Sequence, residues 1–331
     1  MATSPLSPHF RIPEGTQVVL KTDHPVAGPP SDAEGHGQYK KAGSVGVVLE
    51  APLTNDYAYL IRFADGTTVR AKQKHLTVRR TDAPESELPA REIAAYEPHL
   101  IYRVRMGSHA FGLAEEHSDS DERGVYLVPA EWHWSLQPLP GQIEFKLTAD
   151  GRVLDHNQKE GETDVCWWEL EKFVRLALKA NPNILETLYV SEQHVLFCDE
   201  IGRRLMGIRD VFLSKYLYQT YSGYVLSQFR KMKKEHEKGR EHRPKHACHL
   251  IRLLYSGIAA LQGQGILVDA GAHREELLRI KRGEIDFHTV YTRAVELDAE
   301  FQRAYEQTSL PERPDVEKAD RFLIEARRSR T

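Results

Sequence analysis

Met106-Gly107-Ser108-His109-Ala110-Phe111-Gly112-Leu113-Ala114-Glu115-Glu116-His117-Ser118-Asp119-Ser120-Asp121-Glu122-Arg123-Gly124-Val125-Tyr126 is the stretch whose reading decides the rest of this chain. The run before it, His99-Leu100-Ile101-Tyr102-Arg103-Val104, is rich in β-branched and aromatic residues and predicts a strand. It empties into Gly107-Ser108, a turn at which backbone can approach a ligand closely. His109 to Glu116 is compatible with a short helix, and the free N–H groups at a helix start attract anions. Asp119 and Asp121 stand two residues apart, so a strand carries both on one face. Oxygen-only donors of this kind suit magnesium or manganese, which bind through one or two carboxylates plus substrate phosphates.

In this order and spacing, Gly107-Ser108 followed by Asp119-x-Asp121 at the start of a second strand resembles the signature of polymerase β-type nucleotidyltransferases. The longer runs, Gly107 to Ala114 and Ser118 to Tyr126, are similar in particular to a bacterial and phage branch, the RNA-repair-pathway polymerase-β family. The resemblance extends from about Pro98 into the C-terminal region and does not cover the first part of the chain. It implies an α+β nucleotidyltransferase (polymerase β-like) domain with a C-terminal helical region. It also implies an NTP substrate and two Mg2+ or Mn2+ ions held by Asp119, Asp121 and a third carboxylate. The turn at Gly107 and Ser108 would meet the nucleotide's phosphates, with Arg123 a further nucleotide ligand.

Three residues compete for the third carboxylate. Ile143-Glu144-Phe145-Lys146-Leu147 alternates as a strand does, and Ala149-Asp150-Gly151-Arg152 turns into Val153-Leu154-Asp155. Asp164 precedes an aromatic run that leads into Leu170-Glu171-Lys172-Phe173, where the family resemblance places an Asp before a Leu-x-Lys-Phe helix. Asp164 is therefore the expected third ligand, with Glu144 second and Asp155 open. The plain structural alternative for Asp164 is an acid complementing the dipole at a helix N-terminus. Helical spacing predicts that helix from Trp168 to Ala180, stopped by Asn181-Pro182.

Downstream, apolar periodicity predicts helices over Ile201–Leu205, Val211–Lys238, Lys245–Gln262 and Thr289–Tyr305. Lys245, His249 and Arg252 lie at i, i+4 and i+7, hence on one helix face. Together with His246 they match the family over Lys245 to Arg252, which implies a triphosphate clamp. Solvated helix surface is the rival. His246 and His249 lack a third ligand at metal-binding spacing.

Before the resemblance begins, short strands and turns between Gly15 and Arg80 predict a small SH3-like β-barrel, with Asp65-Gly66 as a hairpin turn. Lys72, Lys74, His75, Arg79 and Arg80 close this module and offer phosphate contacts. The expected division is residues 1–80 for the β module, 81–90 for a linker, 91–195 for the catalytic domain and 196–331 for the helical domain. The 331 residues carry a net charge of -3, so any nucleic-acid contact is local rather than a global basic field. The three cysteines, Cys166, Cys198 and Cys248, form no Cys-x-x-Cys pair and read as buried thiols. The first residues carry no basic and apolar leader, and no apolar run reaches membrane-spanning length, so a cytoplasmic location is expected.

The function implied is transfer of an NMP from an NTP to an acceptor hydroxyl, with an RNA 3′ end as acceptor. Toxin-like nucleotidylation of tRNA or protein needs the same residues, and an RNA-binding protein of this fold without activity is the alternative from another class.

Overall fold

The computed structural model describes residues 12–26, 39–52, 57–78, 90–116, 118–136, 139–148, 150–154, 163–237 and 244–331. Residues 81–89 of the expected 81–90 linker, Arg79, Arg80 and the candidate Asp155 fall outside these residues. Labelled strands are β1 (Gln17–Leu20), β2 (Val45–Glu50), β3 (Tyr59–Phe63), β4 (Thr68–Ala71), β5 (Leu76–Val78), β6 (Leu100–Met106), β7 (Ser120–Tyr126), β8 (Gln142–Leu147), β9 (Thr163–Glu169) and β10 (Val195–Cys198). Labelled helices are α1 (Gly107–Ala110), α2 (Leu170–Ala177), α3 (Pro182–Leu188), α4 (Glu200–Gly207), α5 (Tyr216–Glu237), α6 (Pro244–Leu261), α7 (Arg274–Lys281), α8 (Phe287–Gln307) and α9 (Val316–Arg328). No helix among the described residues is long and apolar enough to cross a membrane.

The chain forms two compact units, and it enters each more than once. The first comprises residues 1–81, 218–254 and 280–306. Its five-stranded antiparallel sheet has the order β4-β3-β2-β1-β5. The Asp65-Gly66 turn joins β3 to β4 as expected, with Gly66 at φ +83. Alternation buries Tyr59, Ile61 and Phe63 of β3 on one side. Among the described residues the end strands β4 and β5 do not pair with each other, and the closed SH3-like barrel expected from the strand count is not shown. In the helical part of this unit Tyr218 stacks on Tyr305 with ring centroids 4.4 Å apart, while Tyr221 is fully buried.

The second unit comprises residues 82–217, 255–279 and 307–331. Its sheet has the order β8-β9-β7-β6-β10, with β7 and β9 parallel and every other pair antiparallel. One face of this sheet is apolar: Leu100, Tyr126, Val128, Ile143, Val165 and Trp167 pack as one cluster, with Phe145 edge-on to Trp167 at 4.8 Å. Tyr126 seals it by donating its hydroxyl proton to the Pro140 carbonyl.

Two expected boundaries move. The helix read as starting at Trp168 begins at Leu170, because Val165, Cys166, Trp167 and Trp168 continue β9 and are buried on both faces. Such a β-branched and aromatic run, covered on both sides, favours a strand. Glu169, not Asp164, is the acid at the helix start: it accepts the Glu171 N–H at 2.6 Å. The helix expected from His109 to Glu116 is the single turn α1, ended where Gly112 adopts φ +68 and the Leu113 N–H returns to the Ser108 carbonyl at 2.8 Å.

Trp167 fills the centre of the apolar face. Trp167→Ala is therefore expected to cost about 3–5 kcal/mol, read as a lower urea midpoint for the sheet unit with the far-UV spectrum of the native state retained.

Candidate active site

The charged stretch of the sequence lies at one end of the second sheet because three strands present the same end there. In the β6–β7 ladder Met106 stands opposite Asp121, so the turn after β6 and the start of β7 meet. In the parallel β7–β9 ladder Asp164 stands beside Asp121, and in the β8–β9 ladder Lys146 stands beside Asp164. Side chains in register share a face and alternate along each strand. Asp121, Arg123, Asp164, Cys166, Glu144 and Lys146 therefore occupy the face opposite the apolar cluster. Along β7 burial rises from partly covered Ser120–Arg123 to buried Gly124–Tyr126, so the carboxylates sit at the open end and the core at the other.

Gly107 is required sterically. It adopts φ +66, and a Cβ at this position would lie 2.0 Å from Asp121 Oδ2. The Asp121 carboxylate thus rests on the bare α-carbon that opens α1. Its other oxygen, Oδ1, lies 3.3 Å from Arg123 NH2, and Arg123 NH1 donates to the Glu122 carbonyl at 2.9 Å and to the Asp164 carbonyl at 3.2 Å. Asp164 Oδ1 lies 3.1 Å from Lys146 Nζ, in a half-exposed pair. Asp119, just before β7, is exposed. Glu144 lies two residues from Lys146 on the same strand and accepts hydrogen bonds from Gln142 and the Cys166 thiol.

Three carboxylates from one sheet end form a donor set of the right chemistry for a hard cation, and a guanidinium and an ammonium already pair with Asp121 and Asp164. Among the described residues no three Asp, Glu, His or Cys side chains converge on one point, so Asp119, Asp121 and Asp164 would have to turn inward together to enclose an ion.

Lys245, His249 and Arg252 belong to the other unit, on α6. Their shared face runs from exposed Lys245 through half-buried His249 to Arg252, which is 4% exposed. Arg252 NH2 lies 3.3 Å from His249 Nδ1. Burial, then the charges of Arg252, Lys231, His246 and Lys245, push the His249 pKa down to about 3, so its imidazole is neutral at physiological pH. The cysteines are free, as expected: Cys166 and Cys248 are buried and Cys198 partly so. Burial pushes the Cys166 thiol up to about 12 despite the Arg123 charge.

Lys146 was not singled out in the sequence. Its alternation with Glu144 in a strand was legible, but its partner depends on the register of β8 against β9, which no local pattern encodes.

The family described as RNA repair pathway DNA polymerase beta family matches residues 81–325. The protein YcgL of Bacillus subtilis (strain 168) is 33% identical over 94 residues, which is 28% of this chain and 32% of that protein. The protein MJ0002 of Methanocaldococcus jannaschii is 27% identical over 174 residues, or 53% of this chain and 65% of that protein. The chain thus spans less than two thirds of the length of either relative. A crystal structure of a nucleotidyltransferase-like protein from Exiguobacterium sibiricum 255-15 aligns over 72% of this chain and 77% of its own at 11% identity, with a TM-score of 0.27, too low to carry an argument.

The depressed His249 pKa has a consequence for stability. An unfolded histidine titrates near about 6.5, so between that value and about 3 the unfolded chain binds a proton that the folded chain does not. The contribution is complete above the unfolded pKa and is lost as pH falls, by about 1.4 kcal/mol per pH unit. Thermal melting followed from about pH 7.5 to about pH 5 should drop more steeply for the wild type than for His249→Gln; equal slopes would contradict it.

Proposed function

We propose that this chain, which belongs to the RNA repair pathway DNA polymerase beta family, moves a nucleoside monophosphate from an NTP to an acceptor hydroxyl, with an RNA 3′ end as the acceptor. The observation that carries the reading is the meeting of Gly107 and Asp121 at the sheet end, with Asp164 in register beside them. Strand–glycine turn–acidic strand is the arrangement that nucleotide transfer needs: a close backbone approach for phosphate and carboxylates one strand away. The family match supports the same reading, and the family name points to RNA.

Asp119, Asp121 and Asp164 would hold magnesium or manganese. Bound there, such ions supply charge neutralisation for a triphosphate and acidify a coordinated hydroxyl. The rest of the step falls to the chain's own groups. The Gly107 and Ser108 N–H groups and the Ser108 hydroxyl donate to phosphate oxygens. Asp164, the most exposed paired carboxylate of the site, takes the acceptor's proton as its oxygen attacks the α-phosphorus and pyrophosphate leaves. Arg123 keeps Asp121 oriented and is proposed to meet nucleotide phosphate at the same sheet end, whereas Lys245, His249 and Arg252, expected to share that role, lie in the other unit, with Arg252 buried. A guanidinium fork and an ammonium suit phosphate oxygens. Positioning and electrostatics supply nearly all the acceleration in chemistry of this kind.

The test is incubation of the full chain with each α-labelled NTP, Mg2+ or Mn2+, and a mixed RNA pool. Label in RNA is expected with the wild type, reduced on the order of a thousandfold or more in Asp119→Ala/Asp121→Ala. Label on protein would replace RNA by a protein acceptor. No label above the double variant with any NTP would overturn the proposal.

A further inference from the structure

Each of the two candidate ligands within the sheet already has a cation of its own. Arg123 follows Asp121 by two residues on β7 and reaches back to its Oδ1 at 3.3 Å. Lys146 faces Asp164 directly across the β8–β9 ladder, and its Nζ lies 3.1 Å from the Asp164 carboxylate. Backbone placement brings both pairs together, the first by two-residue spacing along β7 and the second by the β8–β9 register. They come from different strands, and they lie on the same face.

The charge balance explains why they are there. Asp119, Asp121 and Asp164 put three carboxylates at one strand end, where like charges repel one another. Arg123 and Lys146 offset two of the three. A divalent cation arriving alone would meet a nearly neutralised edge and carboxylate oxygens already engaged.

We propose that Arg123 and Lys146 are resident counter-ions of the candidate metal ligands, holding Asp121 and Asp164 until a divalent cation takes over the carboxylates, and that Lys146 sets how readily the third carboxylate is released. This rests on the metal-binding reading above and adds a positioning role to a lysine outside the expected site set.

The two cations differ in how they can yield. Arg123 is also fastened to the Glu122 and Asp164 carbonyls, so it keeps its place when Asp121 turns. Lys146 has a single point charge on a flexible stem, with 44% of its side chain exposed. It is the group that gives way. Once displaced, its ammonium remains at the same sheet end, available to an anionic oxygen that arrives with the nucleotide.

The experiment is a Mn2+ titration of the full chain at low salt without nucleotide, with free Mn2+ read by electron paramagnetic resonance. Lys146→Met keeps the aliphatic stem and removes the competitor, so Mn2+ affinity should rise by roughly two- to fivefold, the equivalent of an exposed ion pair. A purely structural lysine would lower affinity or leave it unchanged. Lys41→Met, which breaks an exposed pair with Asp23 in the other unit, should leave Mn2+ affinity unchanged. In an Asp164→Asn background the Lys146→Met gain should vanish. Unchanged or weaker binding by Lys146→Met, beside a wild type that binds Mn2+ through Asp119 and Asp121, would overturn the counter-ion proposal alone. No Mn2+ uptake by the wild type or any variant would overturn the metal-binding reading and this proposal with it.

Discussion

The contact between the Asp121 carboxylate and the bare α-carbon of Gly107 is the constraint around which the second unit is arranged. It exists because β6 and β7 pair antiparallel with Met106 opposite Asp121, so the strand that ends in the glycine turn and the strand that begins with the acid share one end. A side chain at residue 107 would occupy the space of Asp121 Oδ2. Glycine also permits the left-handed φ with which α1 starts. Backbone and carboxylate are thereby brought within reach of one ligand.

The remainder of the sheet keeps that end in register. β9 inserts between β7 and β8, which sets Asp164 beside Asp121 and Lys146 beside Asp164. The apolar face below, centred on Trp167, Val165 and Ile143, makes a one-residue slip costly, since it would turn charged residues into the core. At the far end Glu169, 4% exposed, caps α2 and lies 3.7 Å from Arg327, which also pairs with Glu171 at 2.7 Å. Arg330 adds a 3.0 Å pair with Asp199 at the start of α4. These contacts fasten α9 and the chain after it to the sheet unit. Burial raises the Glu169 pKa, while Arg327 and the α2 N–H groups favour its charged form.

Local chemistry made part of this legible in the sequence. The turn at Gly107, the Asp65-Gly66 hairpin and the cap at Asn181, which accepts the Asn183 N–H at 3.0 Å, are all properties of a few adjacent residues, whereas Asp119, expected to share a strand face with Asp121, lies just before β7. Asp164 illustrates the limit. Its neighbours Val165 to Trp168 precede an amphipathic helix, and periodicity alone does not say whether a buried aromatic run opens that helix or ends a strand. Only pairing with β7 makes it strand, and only that pairing places Asp164 against Asp121. Lys146 was invisible for the same reason, and strand count does not tell an open five-stranded sheet from a barrel. The spacing of Lys245, His249 and Arg252 predicts one helix face, and α6 carries all three. That this face passes from exposed lysine to buried arginine depends on the packing around these residues.

The role proposed for the sheet end formed by Gly107, Asp121 and Asp164 is to receive a metal-bound nucleotide. It is tested most directly by crystals of the full chain grown with Mn2+ and a non-hydrolysable NTP analogue, with the anomalous signal of manganese used to locate the ions. The account predicts manganese peaks at about 2.1 Å from carboxylate oxygens of Asp119 and Asp121, with phosphate oxygens over the Gly107-Ser108 turn and Lys146 turned away from Asp164. Nucleotide bound elsewhere, or Asp121 still paired with Arg123 and no manganese beside it at saturating ligand, would contradict it.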